Sequence, residues 1–131
     1  MRSLSREAVF KFIFSQLFNP DDEGLFTVLC KDLNDNDKQF AKQLLDCVIN
    51  KKEEYLSQIE RLAIGYKINR LYNADKCALV IGIAELDNFK ETPVAVVIDE
   101  TVNLSAKYST ENSTNFVNGI LAAYLKEKNY G

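Results

Sequence analysis

An all-α fold is predicted by three observations on this 131-residue chain. Apolar residues recur at spacings of three and four along nearly its whole length. The breaks between those stripes carry Asn, Asp, Pro or Gly, residues that cap and stop helices. The one run rich enough in branched residues for a strand, 93–98, carries on at helical spacing beyond its end. Six to seven helices in a single domain, 1–131, follow. At this length about two thirds of the unfolded surface can be buried, so no disulfide or metal staple is needed.

The first helix is expected over residues 4–18. Leu4, Ala8, Val9, Phe12, Ile13 and Leu17 form its stripe, and Phe10, Phe14 and Phe18 widen it. Asn19-Pro20-Asp21-Asp22-Glu23 reads as a stop and restart, with Asn19 as cap, Pro20 at the first helical position and the acids at the positive helix end. A short helix through Leu25, Phe26, Leu29 and Cys30 follows, up to a boundary at Leu33-Asn34-Asp35-Asn36-Asp37. Beyond it Phe40, Ala41, Leu44, Leu45, Val48 and Ile49 form a stripe. Residues 50–53 interrupt it, and Tyr55, Leu56, Ile59, Leu62 and Ala63 resume it. Two helices or one bent helix would fit, with Gly65 as the stop. Residues 67–71 suit a further turn or short helix.

A helix starting at Asn73 or Asp75 runs through Leu86. Residues 77–84 are apolar all round, so this helix is expected to be central and buried. Gly82 inside it costs about 1 kcal/mol against alanine, and close helix packing is the usual compensation. Pro93 suits a helix start, followed by Val94, Val97, Ile98, Thr101, Leu104 and Ser105. The last helix begins near Thr110 or Asn112 and turns Phe116, Val117, Ile120, Leu121 and Tyr124 inward.

Composition removes several function classes. The chain has no histidine, which excludes Ser-His and Cys-His catalysis and leaves zinc only improbable ligand sets. Three widely spaced cysteines, Cys30, Cys47 and Cys77, form no Cys-x-x-Cys pair and fit a reduced, cytoplasmic compartment as small core groups. No apolar run approaches the ~20 residues a membrane span needs, and the N-terminus lacks the pattern of a signal peptide. No membrane, metal or cofactor is expected. The carboxylate pairs Asp99-Glu100 and Glu85-Asp87 read as solvated or salt-bridged surface, since adjacent helical residues diverge by about 100°. The net charge of −3 confines any nucleic-acid contact to a local patch.

Two segments offer such a patch. Residues 1–18 carry Arg2, Arg6 and Lys11 against one acid, Glu7, a local charge of +2. Arg2 and Arg6 share a helix face, and each could neutralise a phosphate. The alternative is a solvated face with a Glu7–Lys11 pair. The segment Asn112-Ser113-Thr114-Asn115-Phe116-Val117-Asn118-Gly119 opens the last helix with amides, a hydroxyl and an aromatic ring, groups that suit an unstacked base. Simple capping and core packing explain the same residues equally well.

Four stretches decide between those readings. Phe116-Val117-Asn118-Gly119-Ile120-Leu121 matches FVNG(V/I)L, and Val97-Ile98-Asp99-Glu100-Thr101-Val102-Asn103-Leu104-Ser105-Ala106-Lys107-Tyr108 resembles (V/I)INEAVELAK(K/S)(Y/F). Ala74-Asp75-Lys76-Cys77-Ala78-Leu79 with Ala84-Glu85-Leu86 resembles V(D/E)(R/K)AILR…YEL. Arg6-Glu7-Ala8 with Ile13-Phe14 resembles an arginine-rich opening followed by (L/M)(Y/F). In this order and spacing they resemble the NusB family of transcription antitermination factors. The resemblance implies an all-α fold of two packed helical subdomains and no enzymatic activity. It implies binding of boxA single-stranded RNA with a small-subunit ribosomal protein, within an antitermination complex on RNA polymerase. A monomer and a homodimer are both compatible with it.

Carried over residue by residue, the resemblance places RNA on Arg2, Arg6, Lys11, Asn112, Ser113, Asn115, Phe116 and Asn118. It places the ribosomal protein around Asp75, Lys76, Leu79 and Glu85. The chain departs from the pattern in having two opening arginines rather than three or more, Phe14 for tyrosine, Val80 for arginine and a neutral Asn112 for an acid. These thin the basic surface and keep two alternatives open. One is a protein-binding helical scaffold. The other is the RNA-positioning domain of an RNA cytosine methyltransferase, although the sequence ends at Gly131 without a catalytic domain.

Overall fold

Six helices, and no strand among the described residues, make up the computed structural model, which describes residues 2–20, 24–63, 71–110 and 112–128. They are α1 (Ser3–Gln16), α2 (Leu25–Leu29), α3 (Asp35–Leu62), α4 (Asn73–Asn88), α5 (Val94–Tyr108) and α6 (Ser113–Lys128). The acids at 21–23, the stop at Gly65 and the turn at 67–70 lie outside the described residues.

α1 closes with a trailing turn in which the N–H groups of Phe18 and Asn19 donate to the Ser15 carbonyl, at 2.9 and 2.8 Å. Asn19 therefore finishes α1 instead of capping α2, which starts from Gly24; the expected restart at Asn19-Pro20 is corrected. At the next boundary Asn34 caps α3, its Oδ1 accepting from the Asp37 N–H at 2.8 Å. Asp35 and Asp37 in the first turn complement the helix dipole. The break expected at 50–53 is a kink at Lys51, where φ −129° and ψ 19° leave helical values inside one bent helix.

α4 is the centre of the fold. It packs against α1, α3, α5 and α6, and Ala78, Leu79, Ile83 and Ala84 are completely enclosed. Gly82 makes the α4–α5 contact close: a Cβ there would sit 2.5 Å from Thr101 Oγ1. The Thr101 hydroxyl is itself tied down, donating to the Val97 carbonyl at 2.8 Å. Pro93 occupies the N-cap of α5, so the branched run after it is helical. Thr110 Oγ1 accepts from the Ser113 N–H and starts α6.

α1 packs on α2 and α3, α5 packs on α6, and α4 joins these two groups by packing against α1, α3, α5 and α6. The stripes were wider than the faces available to cover them. Leu4, Leu17, Phe18 and Ile49 consequently stand exposed, where their spacing had pointed inward.

Candidate nucleic-acid interface

The two opening arginines share a helix face, yet one turn of helix separates their environments. Arg2 lies at the rim, with its guanidinium carbon 4.3 Å from the centre of the Phe40 ring and Glu91 3.9 Å away. Its side chain is 44% exposed, enough to meet a phosphate. Arg6 lies a turn deeper and is 4% exposed. Its Nε donates to Glu85 Oε1 and its Nη2 to Glu85 Oε2, both at 2.6 Å, and Glu85 is 1% exposed. Glu100 stands 3.9 Å from Nη1. A guanidinium engaged in a buried bidentate fork has no face left for RNA. Arg6 as a phosphate ligand is thus corrected: it clamps α1 to α4.

Lys11 is exposed, 3.7 Å from Glu7. The same Glu7 accepts from Lys107 Nζ at 2.6 Å, tying α1 to α5. That hydrogen bond holds the Glu7 carboxyl below the usual carboxylate range against the opposing effect of its partial burial, and it raises Lys107. Lys107 also lies over the Tyr108 ring at 5.5 Å. Arg2, Lys11 and Lys107 are thus exposed cations, at the start of α1, on α1 and on α5.

At the start of α6, Asn112, Asn115, Asn118 and Gly119 are exposed, Phe116 is half-buried and Ser113 is buried. The Ser113 hydroxyl lies 3.1 Å from that of Ser109 and 3.0 Å from that of Thr110, so it closes the turn into α6 and meets the outside only at the wall of a hollow. The remaining residues divide between two hollows. One, of about 240 Å³, brings Asn112 and Phe116 together with Leu71, Tyr72 and Asp75. The other, a trough of about 430 Å³ between α5 and α6, gathers Asn115 and Asn118 with Asp99 and Asn103.

The expected protein-partner patch is not a surface. Asp75, Leu79 and Glu85 are 3%, 0% and 1% exposed, because α4 is enclosed by four other helices; only Lys76, half-buried, reaches the outside. Of the carboxylates read as solvated or salt-bridged surface, Glu85 is salt-bridged but buried, and Asp87 is half-buried. Glu85 is in the buried fork, and Asp87 accepts from the Tyr124 hydroxyl at 2.7 and 2.8 Å. Phe40, Tyr72, Asn103 and Lys107 join the candidate site without having been singled out from the sequence. Asn103 and Lys107 sit in the second matched motif and were legible there; Phe40 looked like ordinary core and Tyr72 lay in an unassigned connection.

No group of His, Cys, Asp or Glu among the described residues could hold a metal ion, and no described helix is long and apolar enough to cross a membrane.

Comparison with known proteins agrees with this architecture. A family model described as NusB family matches residues 3–126. The transcription antitermination protein NusB of Methylacidiphilum infernorum is 35% identical over 127 residues, covering 93% of this chain and 88% of the relative. That of Finegoldia magna is 32% identical over 130 residues, covering 97% and 95%. Among solved structures, T. maritima NusB superposes with a TM-score of 0.90 at 30% identity, covering 97% of this chain and 92% of the other. A chain from a crystal structure of antitermination factors NusB and NusE in complex with dsRNA superposes at 0.84 with 30% identity, covering 96% of each.

Proposed function

The chain belongs to the NusB family of transcription antitermination proteins, and from that premise we propose that it binds boxA-type single-stranded RNA in company with a small-subunit ribosomal protein of the NusE kind. The observation that carries this reading is the start of α6. Three exposed asparagines and a half-buried phenylalanine open onto two hollows, one of them walled by a second aromatic, Tyr72. Stacking on an aromatic face and amide contacts to base edges are how single-stranded RNA is read. Arg2, Lys11 and Lys107 supply the phosphate contacts. Fewer cations than a dedicated RNA binder carries means weak binding by the chain alone and reliance on the ribosomal protein. In the cytoplasm, the pair joins an antitermination complex on RNA polymerase.

The burial of Arg6 favours one second reading, a helical scaffold that binds protein without RNA. One experiment separates the two. Labelled boxA RNA and a scrambled control are titrated with the chain, with and without the ribosomal protein, at two salt concentrations. A boxA preference that strengthens with the protein and weakens with salt is expected. Equal binding of both RNAs in every condition, with the ribosomal protein still bound, would establish the scaffold.

A further inference from the structure

The hollow between the starts of α4 and α6 contains a feature that its neighbours leave unsatisfied. Asp75 lines it and is 3% exposed, and its Oδ1 has no hydrogen-bond partner among the described residues. An enclosed carboxylate oxygen without a donor is costly, so such atoms are normally paired. The first turn of α4 favours a negative charge there but does not provide the missing donor. The rest of the wall is Tyr72 and Phe116, two aromatic rings, with Asn112, Ser113 and Thr110 as polar groups. At about 240 Å³ the hollow is smaller than the ~300–1,000 Å³ that houses a free small molecule. It suits one ring system inserted from a larger ligand.

We infer that this hollow takes a single unstacked nucleobase and that Asp75 selects for an exocyclic amino group, cytosine over uracil. The inference rests on the RNA reading above and deepens it. Carboxylates accept from the cytosine amino group, whereas uracil presents a carbonyl oxygen at the same position and repels them. Aromatic walls hold either pyrimidine alike, so the carboxylate is what tells them apart. Asp75 thereby moves from the protein-partner reading to base recognition, reached through the hollow that it lines.

The test compares oligocytidine and oligouridine of about a dozen nucleotides, alongside boxA RNA, by fluorescence anisotropy at one salt concentration. The wild-type chain is expected to bind oligocytidine about tenfold more tightly. Asp75→Asn, whose amide can also donate, should remove most of that ratio while leaving the salt dependence unchanged. Equal binding of the two homopolymers by wild type, with boxA still bound, overturns the inference and spares the RNA reading; this arm needs no variant to fold. No binding of any RNA, with or without the ribosomal protein, overturns both. An unchanged ratio in Asp75→Asn with weaker capture of the ribosomal protein also overturns it, since the carboxylate would then face a protein cation.

Discussion

Replacing Glu85 with glutamine should cost the fold about 3 kcal/mol. The carboxylate is 1% exposed and receives two 2.6 Å hydrogen bonds from a guanidinium that is itself 4% exposed. Removing one partner of such a pair leaves an uncompensated buried charge, typically a loss of about 3–5 kcal/mol. The lower end applies because Glu100, 3.9 Å from Nη1, remains to neutralise part of it. With a urea m-value of about 2 kcal/mol/M, the midpoint should fall by about 1.5 M. Replacing the pair together, Arg6→Met with Glu85→Leu, should recover most of the loss, because neither charge is then stranded. Urea denaturation followed by circular dichroism measures both. A cost below about 1 kcal/mol for Glu85→Gln, the range of an exposed ion pair, would refute the buried clamp. The same double variant should keep its RNA affinity, whereas Arg2→Ala should lose affinity and flatten the salt slope by about 0.7, the share of one single-strand phosphate contact. The opposite pattern would return Arg6 to the RNA surface.

Three further outcomes follow from the packing and the titrating groups. Gly82→Ala should destabilise by about 1 kcal/mol, since overpacking by about 1–3 kcal/mol outweighs the helix-propensity gain of about 1 kcal/mol. Adding Thr101→Ala should restore stability, and a Gly82→Ala variant more stable than wild type would contradict the close α4–α5 approach. The Glu7 carboxyl is lowered in the fold, so its contribution is present above the ordinary value of 4.5 and lost as pH falls through its folded value. Lys107→Met should therefore flatten the stability profile on the acid side of pH 4.5, and an unchanged profile would show that the pair does not form. Burial pushes the Cys77 thiol up to about 11, so at pH 8 it should resist iodoacetamide in the folded chain and react on unfolding; Cys47, less buried, should label first. Equal labelling rates in the folded state would contradict that order.

Helix boundaries were legible wherever a local device fixed them. Asn34 caps α3, Pro93 starts α5, and the polar break at 50–53 became the kink at Lys51, because each acts within a few residues of itself. The restart at Asn19-Pro20 failed for the complementary reason. Asn19 suits a cap and Pro20 a first helical position, but Asn19 ends the trailing turn of α1 and α2 takes Gly24 as its N-cap. Burial of charge was the least legible property. Nothing in the spacing of Arg2 and Arg6 separates them, and the difference arises only when α4 brings Glu85 from 79 residues away. The same enclosure of α4 hid Asp75, Leu79 and Glu85, which a motif can mark as important without saying whether they face out or in. The start of α6 was legible as polar, aromatic and glycine-bearing. Its division into two hollows depends on Tyr72 and Asn103, which come from other helix ends and faces.

Whether RNA meets the start of α6 is tested most directly by amide chemical-shift mapping on the isotopically labelled chain as boxA RNA is added, with the ribosomal protein present. The account predicts the largest shifts at Arg2 and at Asn112, Asn115, Phe116 and Asn118, with Arg6 changing little. Shifts confined to other faces of the molecule, or none at saturating RNA, would contradict it.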